Sequence, residues 1–155
     1  MTSPFEEHRT GLRATYVGSA PRLRLKVALD RLAFPEHEPN LLITRVSAVE
    51  ALARSLLVHH IASAGESVDK VYARYRLAGP EALLEAYLSS VTSKSACQFF
   101  GQDSWEQFQH AVQYRNLLVH ECTYLHPDTA RPLIETCRTI LRQLAEAAGL
   151  STGEI

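Results

Sequence analysis

The chain has 155 residues, which is the size of one domain and enough to bury a single core. Its composition, with 46% hydrophobic and 21% charged residues, is ordinary for a soluble globular protein. The formal net charge of -1 argues against a generally cationic coat for nucleic acid, although a local basic face remains open.

Such a face could come from the first third of the chain, where basic residues outnumber acidic ones. The basic residues are Arg9, Arg13, Arg22, Arg24, Lys26 and Arg31, against Glu6, Glu7 and Asp30. A solvated helix surface would show the same charges. Both interpretations stay open at this point.

Cysteine usage and hydropathy indicate the compartment. Cys97, Cys122 and Cys137 are odd in number and include no Cys-x-x-Cys pair, which fits neither a disulfide framework nor a structural zinc site. Residues 1–11 are too polar for the apolar core of a signal peptide. No run approaches the roughly 18 to 20 apolar residues that span a bilayer. We therefore expect a cytoplasmic protein without a membrane segment.

The first signals in chain order mark helices separated by breaks. Ser3 can cap a helix in which Pro4 takes the first position and Glu6 completes a capping box. A break at residues 18–21 precedes a second segment, 22–34. Its apolar residues recur at roughly helical spacing at Leu23, Val27 and Leu32.

A longer helix is predicted over residues 41–64, with Asn40 as its cap and Gly65 at its end. One broad face carries Leu41, Val46, Val49, Leu52, Leu56 and Leu57. Glu50 falls at the edge of that face, and Arg54 follows one turn later beside it.

The remaining signals complete a helical protein. Ser67 can cap a short helix that reaches residue 78, and Gly79-Pro80 opens another. The apolar side of that second helix is Leu83, Leu84, Tyr87, Leu88 and Val91. A helix from the turn at residues 101–104 to residues 125–127 follows, and Asp128 or Thr129 caps the last one. The core side of the last helix is Leu133, Ile134, Cys137, Ile140, Leu141 and Leu144.

No segment alternates with a period of two, and no glycine-rich phosphate loop is present. The fold class predicted is all-α, a bundle of about five to six helices. Residues 1–155 are expected to form a single domain with an N-terminal helical segment at 1–21 and a frayed tail at 150–155.

The helix over residues 105–125 carries the most unusual charges. At about 100° per residue, one half of its circumference is apolar. That half consists of Trp105, Phe108, Ala111, Val112, Leu118, Val119, Cys122 and Leu125. Arg115 lies near its middle, whereas the opposite side holds Gln109, Gln113, Asn116, His120 and Tyr124. Asn116, His120 and Tyr124 are successive i, i+4 neighbours and are predicted to form one polar stripe.

An arginine in an apolar arc needs an anionic or carbonyl partner, because an unpaired buried charge is very unfavourable. Glu50 or another carboxylate could pair with Arg115 structurally, or the position could be a phosphate pocket. His120 could be a half-exposed histidine bonded to a neighbour. Leu117 faces away from the main arc, which fits a second apolar surface and a dimer, although an isolated exposed leucine is common.

The stretch Arg115-Asn116-Leu117-Leu118-Val119-His120 resembles the R-x4-H signature of the HEPN superfamily, helical-bundle proteins that include many metal-independent ribonucleases. The family prefers a polar residue directly after the arginine, as Asn116 is here. An earlier helix of the family often carries an acid followed four positions later by a base, and Glu50 and Arg54 have that form. The specific part of the resemblance covers six residues.

The resemblance implies an endoribonuclease, in a toxin or defence setting, that works as a homodimer on RNA without a metal or other cofactor. Its catalytic residues would be Arg115, His120 and Asn116. Weaker candidates for substrate contact are Glu50, Arg54 and Tyr124. An antitoxin protein remains a candidate partner. The toxin branch, however, carries tyrosine two positions after the histidine, where this chain has Cys122.

The sequence leaves two other functions to consider beside the ribonuclease. The same bundle could be a non-catalytic module that binds a nucleotide or a protein, which the near-neutral charge slightly favours. A metal enzyme would need ligands among His59 and His60, or among His8, His37, His110 and His126. Adjacent histidines point about 100° apart on a helix and no His-Glu-x-x-His spacing occurs, so no metal site is predicted.

Overall fold

The computed structural model describes residues 2–151 and Gly153, which form eight α-helices and no strand. The all-α prediction is therefore confirmed, with more helices than the five to six expected. In chain order they are α1 (Pro4–Gly18), α2 (Pro21–Leu32), α3 (Glu38–Ala62), α4 (Val68–Tyr75), α5 (Pro80–Thr92), α6 (Ala96–Phe100), α7 (Gln102–His120) and α8 (Pro127–Ala147). The five-residue α6, which begins with a capping box of Ser95 and Gln98, was not predicted.

Two predicted helix starts are confirmed by their cap geometry. At α1 the Glu6 amide donates to Ser3 Oγ (3.2 Å) and the Ser3 amide donates to Glu6 Oε2 (2.8 Å). At α4 the Lys70 amide donates to Ser67 Oγ (3.3 Å). These bonds satisfy amides that have no partner inside the helix.

Two other predicted starts are wrong by two to three residues. The cap of α3 is His37 rather than Asn40, and the cap of α8 is His126 rather than Asp128 or Thr129. In both helices a proline that follows the cap lies inside the first turn. Proline is tolerated there because the first amides of a helix need no partner within it.

The core is organised around α3, which packs against α2, α4, α5, α7 and α8. A helix covered on all sides is apolar nearly all round. Its buried residues are Leu42, Thr44, Val46, Ala48, Val49, Leu52, Ala53, Ser55, Leu56, Leu57 and Val58. All six residues predicted for the core side of α8 are buried: Leu133, Ile134, Cys137, Ile140, Leu141 and Leu144.

The prediction for α2 is wrong at two of its three positions. Leu23 and Val27 are exposed, whereas Leu25 and Ala28 are buried and the predicted Leu32 is partly buried against the core. Both pairs have helical spacing, so periodicity alone could not decide which of them meets α3. The chain before α2 is more loosely attached, since Val17 is the buried residue of α1.

Half of the predicted tail at 150–155 lies outside the described residues, because 152, 154 and 155 are not among them. Among the helices that are described, none combines the length and the apolar character needed to cross a membrane.

Candidate functional site

Helix α7 carries the Arg115–His120 motif and is anchored through its first half. It begins after Gly101, whose φ of 90° favours glycine. Its buried residues are Trp105, Phe108, Ala111 and Val112, and it packs against α3 and α8. The aromatic rings of Trp105 and Phe108 lie 5.8 Å apart. This packing fixes the rotation of α7 and so decides where the motif side chains point.

The predicted extension of this helix to residues 125–127 is wrong, because α7 ends at His120. Two residues later Cys122 adopts a φ of 49°, a left-handed conformation that turns the chain away from the helix axis. Tyr124 therefore lies beyond the helix and is exposed, so it does not continue the stripe of Asn116 and His120. Leu125 is nevertheless buried, on the chain that leads into α8.

Two positions predicted for the core are exposed at the end of the helix. Val119 and Cys122 face solvent, whereas Leu118 is partly buried against the core. The last turn of α7 thus reaches past the elements that cover its first half. A straight-helix wheel cannot show this, since it contains no information on where the neighbouring helices stop.

Arg115 points toward α3 and pairs there with Glu50. Its Nη2 lies 3.0 Å from Glu50 Oε2, and Arg54 Nη2 lies 2.7 Å from Glu50 Oε1. The side chains of Arg115, Glu50 and Arg54 retain 17%, 20% and 12% of their accessible surface. We call these three residues the Glu50 cluster. It carries a formal charge of +1, since one carboxylate faces two guanidinium groups.

Within the Glu50 cluster, Arg54 is fully engaged. It donates from Nε to the Tyr75 carbonyl (3.3 Å) and from Nη2 to the Ala78 carbonyl (2.9 Å), both at the end of α4. Burial opposes its charge, but the hydrogen bonds to Glu50 and Tyr16 outweigh that effect, so the pKa of Arg54 is raised. These contacts favour a structural role for Arg54. The contribution of Tyr16 had no signal in the sequence, because only folding brings α1 beside α3.

Arg115 has one hydrogen-bond donor that is not used. Its Nε is buried and has no hydrogen-bond partner. A buried donor without an acceptor is unfavourable by roughly 1–3 kcal/mol. The pairing with Glu50 therefore does not saturate this guanidinium, in contrast to that of Arg54.

Asn116 and His120 lie together on a different, exposed face of α7. With Gln113, Leu117 and Glu121 they line an open depression of about 400 Å³, which we call the α7 depression. Leu117 is 45% exposed there. The structure thus brings Glu50, Arg54 and Arg115 into one cluster, and Asn116 and His120 into another. Gln113 and Glu121 were not predicted as site residues.

One side chain of the α7 depression is of a type suited to proton transfer. The imidazole of His120 is exposed, and histidine is the side chain that most often transfers protons in active sites. Among residues 2–151 and Gly153, no three side chains of His, Cys, Asp or Glu are grouped so as to hold a metal ion. Comparisons with protein-family models, with curated proteins and with solved structures gave no match.

Proposed function

We propose that this protein is a metal-independent endoribonuclease whose active site forms where the α7 depressions of two copies face one another. The observation that carries the proposal is the α7 depression itself, in which an accessible His120 and the amide of Asn116 lie next to one another. The Glu50 cluster, to which α7 contributes Arg115 and α3 contributes Glu50 and Arg54, adds a net positive charge. Positive charge attracts phosphate, and an imidazole can move its protons.

The reaction proposed is an internal displacement on the RNA backbone. His120 of one copy takes the proton of a ribose 2′-hydroxyl, whose oxygen then forms a bond to the adjacent phosphorus. The bond from phosphorus to the 5′-oxygen breaks, and that oxygen receives a proton from the histidine of the second copy. The products are a 2′,3′-cyclic phosphate and a 5′-hydroxyl. No metal or cofactor takes part.

Arg115 would stabilise the charge that develops on the phosphate in the transition state. To do so, its guanidinium must turn from Glu50 toward the α7 depression. Such a turn does not strand the carboxylate, because Arg54 Nη2 remains 2.7 Å from Glu50 Oε1. The buried Nε without a partner also favours a second position for this side chain. Asn116 would orient His120 or the phosphate.

A homodimer is part of this proposal. Beside His120, the apolar side chains of Leu117 and Val119 are 45% and 51% exposed. A second copy would cover them and exclude water from the reacting groups, which strengthens electrostatic interactions within the site. RNA is the substrate proposed, and an antitoxin protein stays a candidate partner in a toxin or defence setting.

A second candidate function is supported by the ion pair of Arg115 with Glu50. If that pair is permanent, Arg115 stabilises the fold and the α7 depression binds a nucleotide or a protein without cleaving anything. The two functions differ in whether Arg115 ever leaves Glu50.

Incubation of purified protein with mixed RNA in the presence of a chelator tests the proposal. We expect the wild type to cut RNA, and His120→Ala and Arg115→Ala to lose cutting. The matched control is His110→Ala, which removes an exposed histidine from the same helix outside the motif and should cut normally. Intact RNA with the folded wild type, or equal cutting by His120→Ala, would refute the nuclease. RNA or nucleotide that is bound but never cut would support the binding module.

A further inference from the structure

A small groove lies between α2 and α3, away from the motif. It has a volume of about 90 Å³. Its lining combines two arginines, two hydroxyl groups and small apolar residues: Arg24, Val27, Ala28, Arg31, Thr44, Ser47, Ala48 and Ala51. We call it the α2–α3 groove. It is smaller than the α7 depression but more enclosed by charged and hydroxyl-bearing side chains.

Arg24 is the unusual member of this lining. Its guanidinium carbon lies 3.9 Å from the centre of the Tyr16 ring, and its Nε is buried without a hydrogen-bond partner. Burial lowers the pKa of Arg24 and outweighs the opposing electrostatic effects of Tyr16 and Tyr72. An aromatic ring holds a cation less strongly than a carboxylate does. This arginine is thus partly desolvated, still charged and without an anion.

The hydroxyl groups of the groove are not equivalent. Thr44 is buried and donates to the Glu36 carboxylate, at 2.9 Å from Oε1 and 3.1 Å from Oε2. Ser47 makes no side-chain hydrogen bond to any other described residue, so its hydroxyl is available to a ligand. Arg31 lies seven residues, or about two turns, after Arg24 on the same helix. It is exposed and adds a second positive charge.

We propose that the α2–α3 groove binds a phosphate group through Arg24 and Arg31, with the Ser47 hydroxyl as a further donor. Guanidinium groups match the geometry of phosphate oxygens, and a bound anion would give the Arg24 cation a stronger partner than the Tyr16 ring. The proposal is independent of the ribonuclease activity.

The size of the groove limits what enters it. Its volume of about 90 Å³, against about 400 Å³ for the α7 depression, suits one tetrahedral oxyanion. The remainder of a larger ligand would lie outside, over exposed Val27. The phosphate could belong to a free small molecule or to an RNA backbone.

Glu36 supplies a test of the groove's electrostatics. Its carboxylate accepts a hydrogen bond from Thr44, which lines the groove. Because the carboxylate is negatively charged, it repels an anion that binds there. Glu36→Gln keeps an oxygen that can accept the Thr44 hydroxyl proton but removes the charge. Phosphate should therefore bind the Glu36→Gln variant more tightly, by about threefold at low salt.

The experiment is a calorimetric titration of the full chain with inorganic phosphate at low ionic strength. We expect saturable binding by the wild type and at least about tenfold weaker binding by Arg24→Gln and Arg31→Gln. Arg22→Gln is the matched control, because Arg22 is exposed on α2 outside this groove and should bind like the wild type. If Arg24→Gln fails to fold, the exposed Arg31 carries the test. Absence of binding, or equal weakening by Arg22→Gln, overturns the proposal.

A competition arm identifies the source of the phosphate. A short RNA oligonucleotide is added to the phosphate complex of the His120→Ala variant, so that cleavage does not interfere. Displacement of phosphate by the RNA, together with weaker direct binding of the RNA by His120→Ala/Arg24→Gln than by His120→Ala, assigns the groove to the RNA backbone. Retention of phosphate in the presence of RNA assigns it to a free phosphate compound. Either result rests on phosphate binding already observed in the groove.

Discussion

The two halves of α7 differ in what covers them. Residues 105–112 pack against α3 and α8, and their apolar positions are buried. From residue 113 onward most side chains of α7 are exposed, including Leu117 and Val119. Tyr114, Arg115 and Leu118 are partly buried, and Arg115 points back to Glu50.

The difference shows that one helix serves two purposes. Its first half is a packing element whose burial follows from its periodicity. Its second half is an uncovered surface that carries Asn116 and His120, and there the same periodicity predicts burial incorrectly. The predictions below test this division, from the largest expected effect to the smallest.

The first prediction concerns the reactivity of two cysteines, one in the core and one past the end of α7. Burial raises the pKa of Cys137 to about 12 from its ordinary value, and the thiolate is the reactive form. In the folded protein, alkylation of Cys137 at pH 8 should be about a thousandfold slower than in denaturant, since each pKa unit is a factor of ten. Exposed Cys122 should react readily in both states. Mass spectrometry of timed samples measures both rates, and rapid labelling of native Cys137 would contradict the buried core.

The second prediction separates core from surface on α7 by truncation. Phe108→Ala should lower the free energy of unfolding by about 3–5 kcal/mol, because this ring is fully buried and its loss leaves a cavity. Leu117→Ala should change it by less than about 0.5 kcal/mol. Urea unfolding of both variants measures the contrast. Similar losses at the two positions would mean that the second half of α7 also packs in the core.

The third prediction concerns the Glu50 cluster, which connects the second half of α7 to α3 through Arg115. Glu50→Gln leaves two partly buried arginines without a carboxylate and should destabilise by about 2–3 kcal/mol. Arg115→Gln should cost only about 1 kcal/mol, because Glu50 keeps its pair with Arg54. The same unfolding assay ranks them. A larger loss for Arg115→Gln would show that Arg115, not Glu50, is the centre of the cluster.

The fourth prediction addresses the uncovered half. Leu117→Asp places a charge in the α7 depression without disturbing the core, so the unfolding free energy should move by less than about 0.5 kcal/mol at a concentration where both proteins are monomeric. It should nevertheless shift the solution mass from dimer to monomer and reduce RNA cleavage, because a charge buried in an interface is unfavourable. Light scattering measures the mass. A wild type that is monomeric at all concentrations would contradict the two-copy site.

Much of the fold could be predicted because its signals are local. The caps at Ser3 and Ser67 and the apolar side of α8 depend on residues within a few positions of one another. The face of α2 could not be predicted, since the stripe with Leu23 and the stripe with Leu25 have equivalent spacing. The end of α7 could not be predicted, since no glycine marks it. The residue with the left-handed backbone conformation after the helix is Cys122.

The candidate site divides in the same way. Glu50 could be named as a partner for Arg115 because it is a carboxylate at the edge of an otherwise apolar face. Whether that pairing or a phosphate pocket prevails depends on how α3 and α7 are rotated against one another, which sequence spacing does not contain. The engagement of Arg54 with the end of α4 depends on folding in the same way.

The measurement that tests the central claim most directly is the rate of RNA cleavage by His120→Ala relative to His110→Ala, in a chelator and with both proteins folded. The ribonuclease account predicts a loss of at least about a hundredfold for His120→Ala, the usual contribution of a general acid or base. It also predicts products that end in 2′,3′-cyclic phosphate from the His110→Ala variant. Equal rates for the two variants would contradict the account.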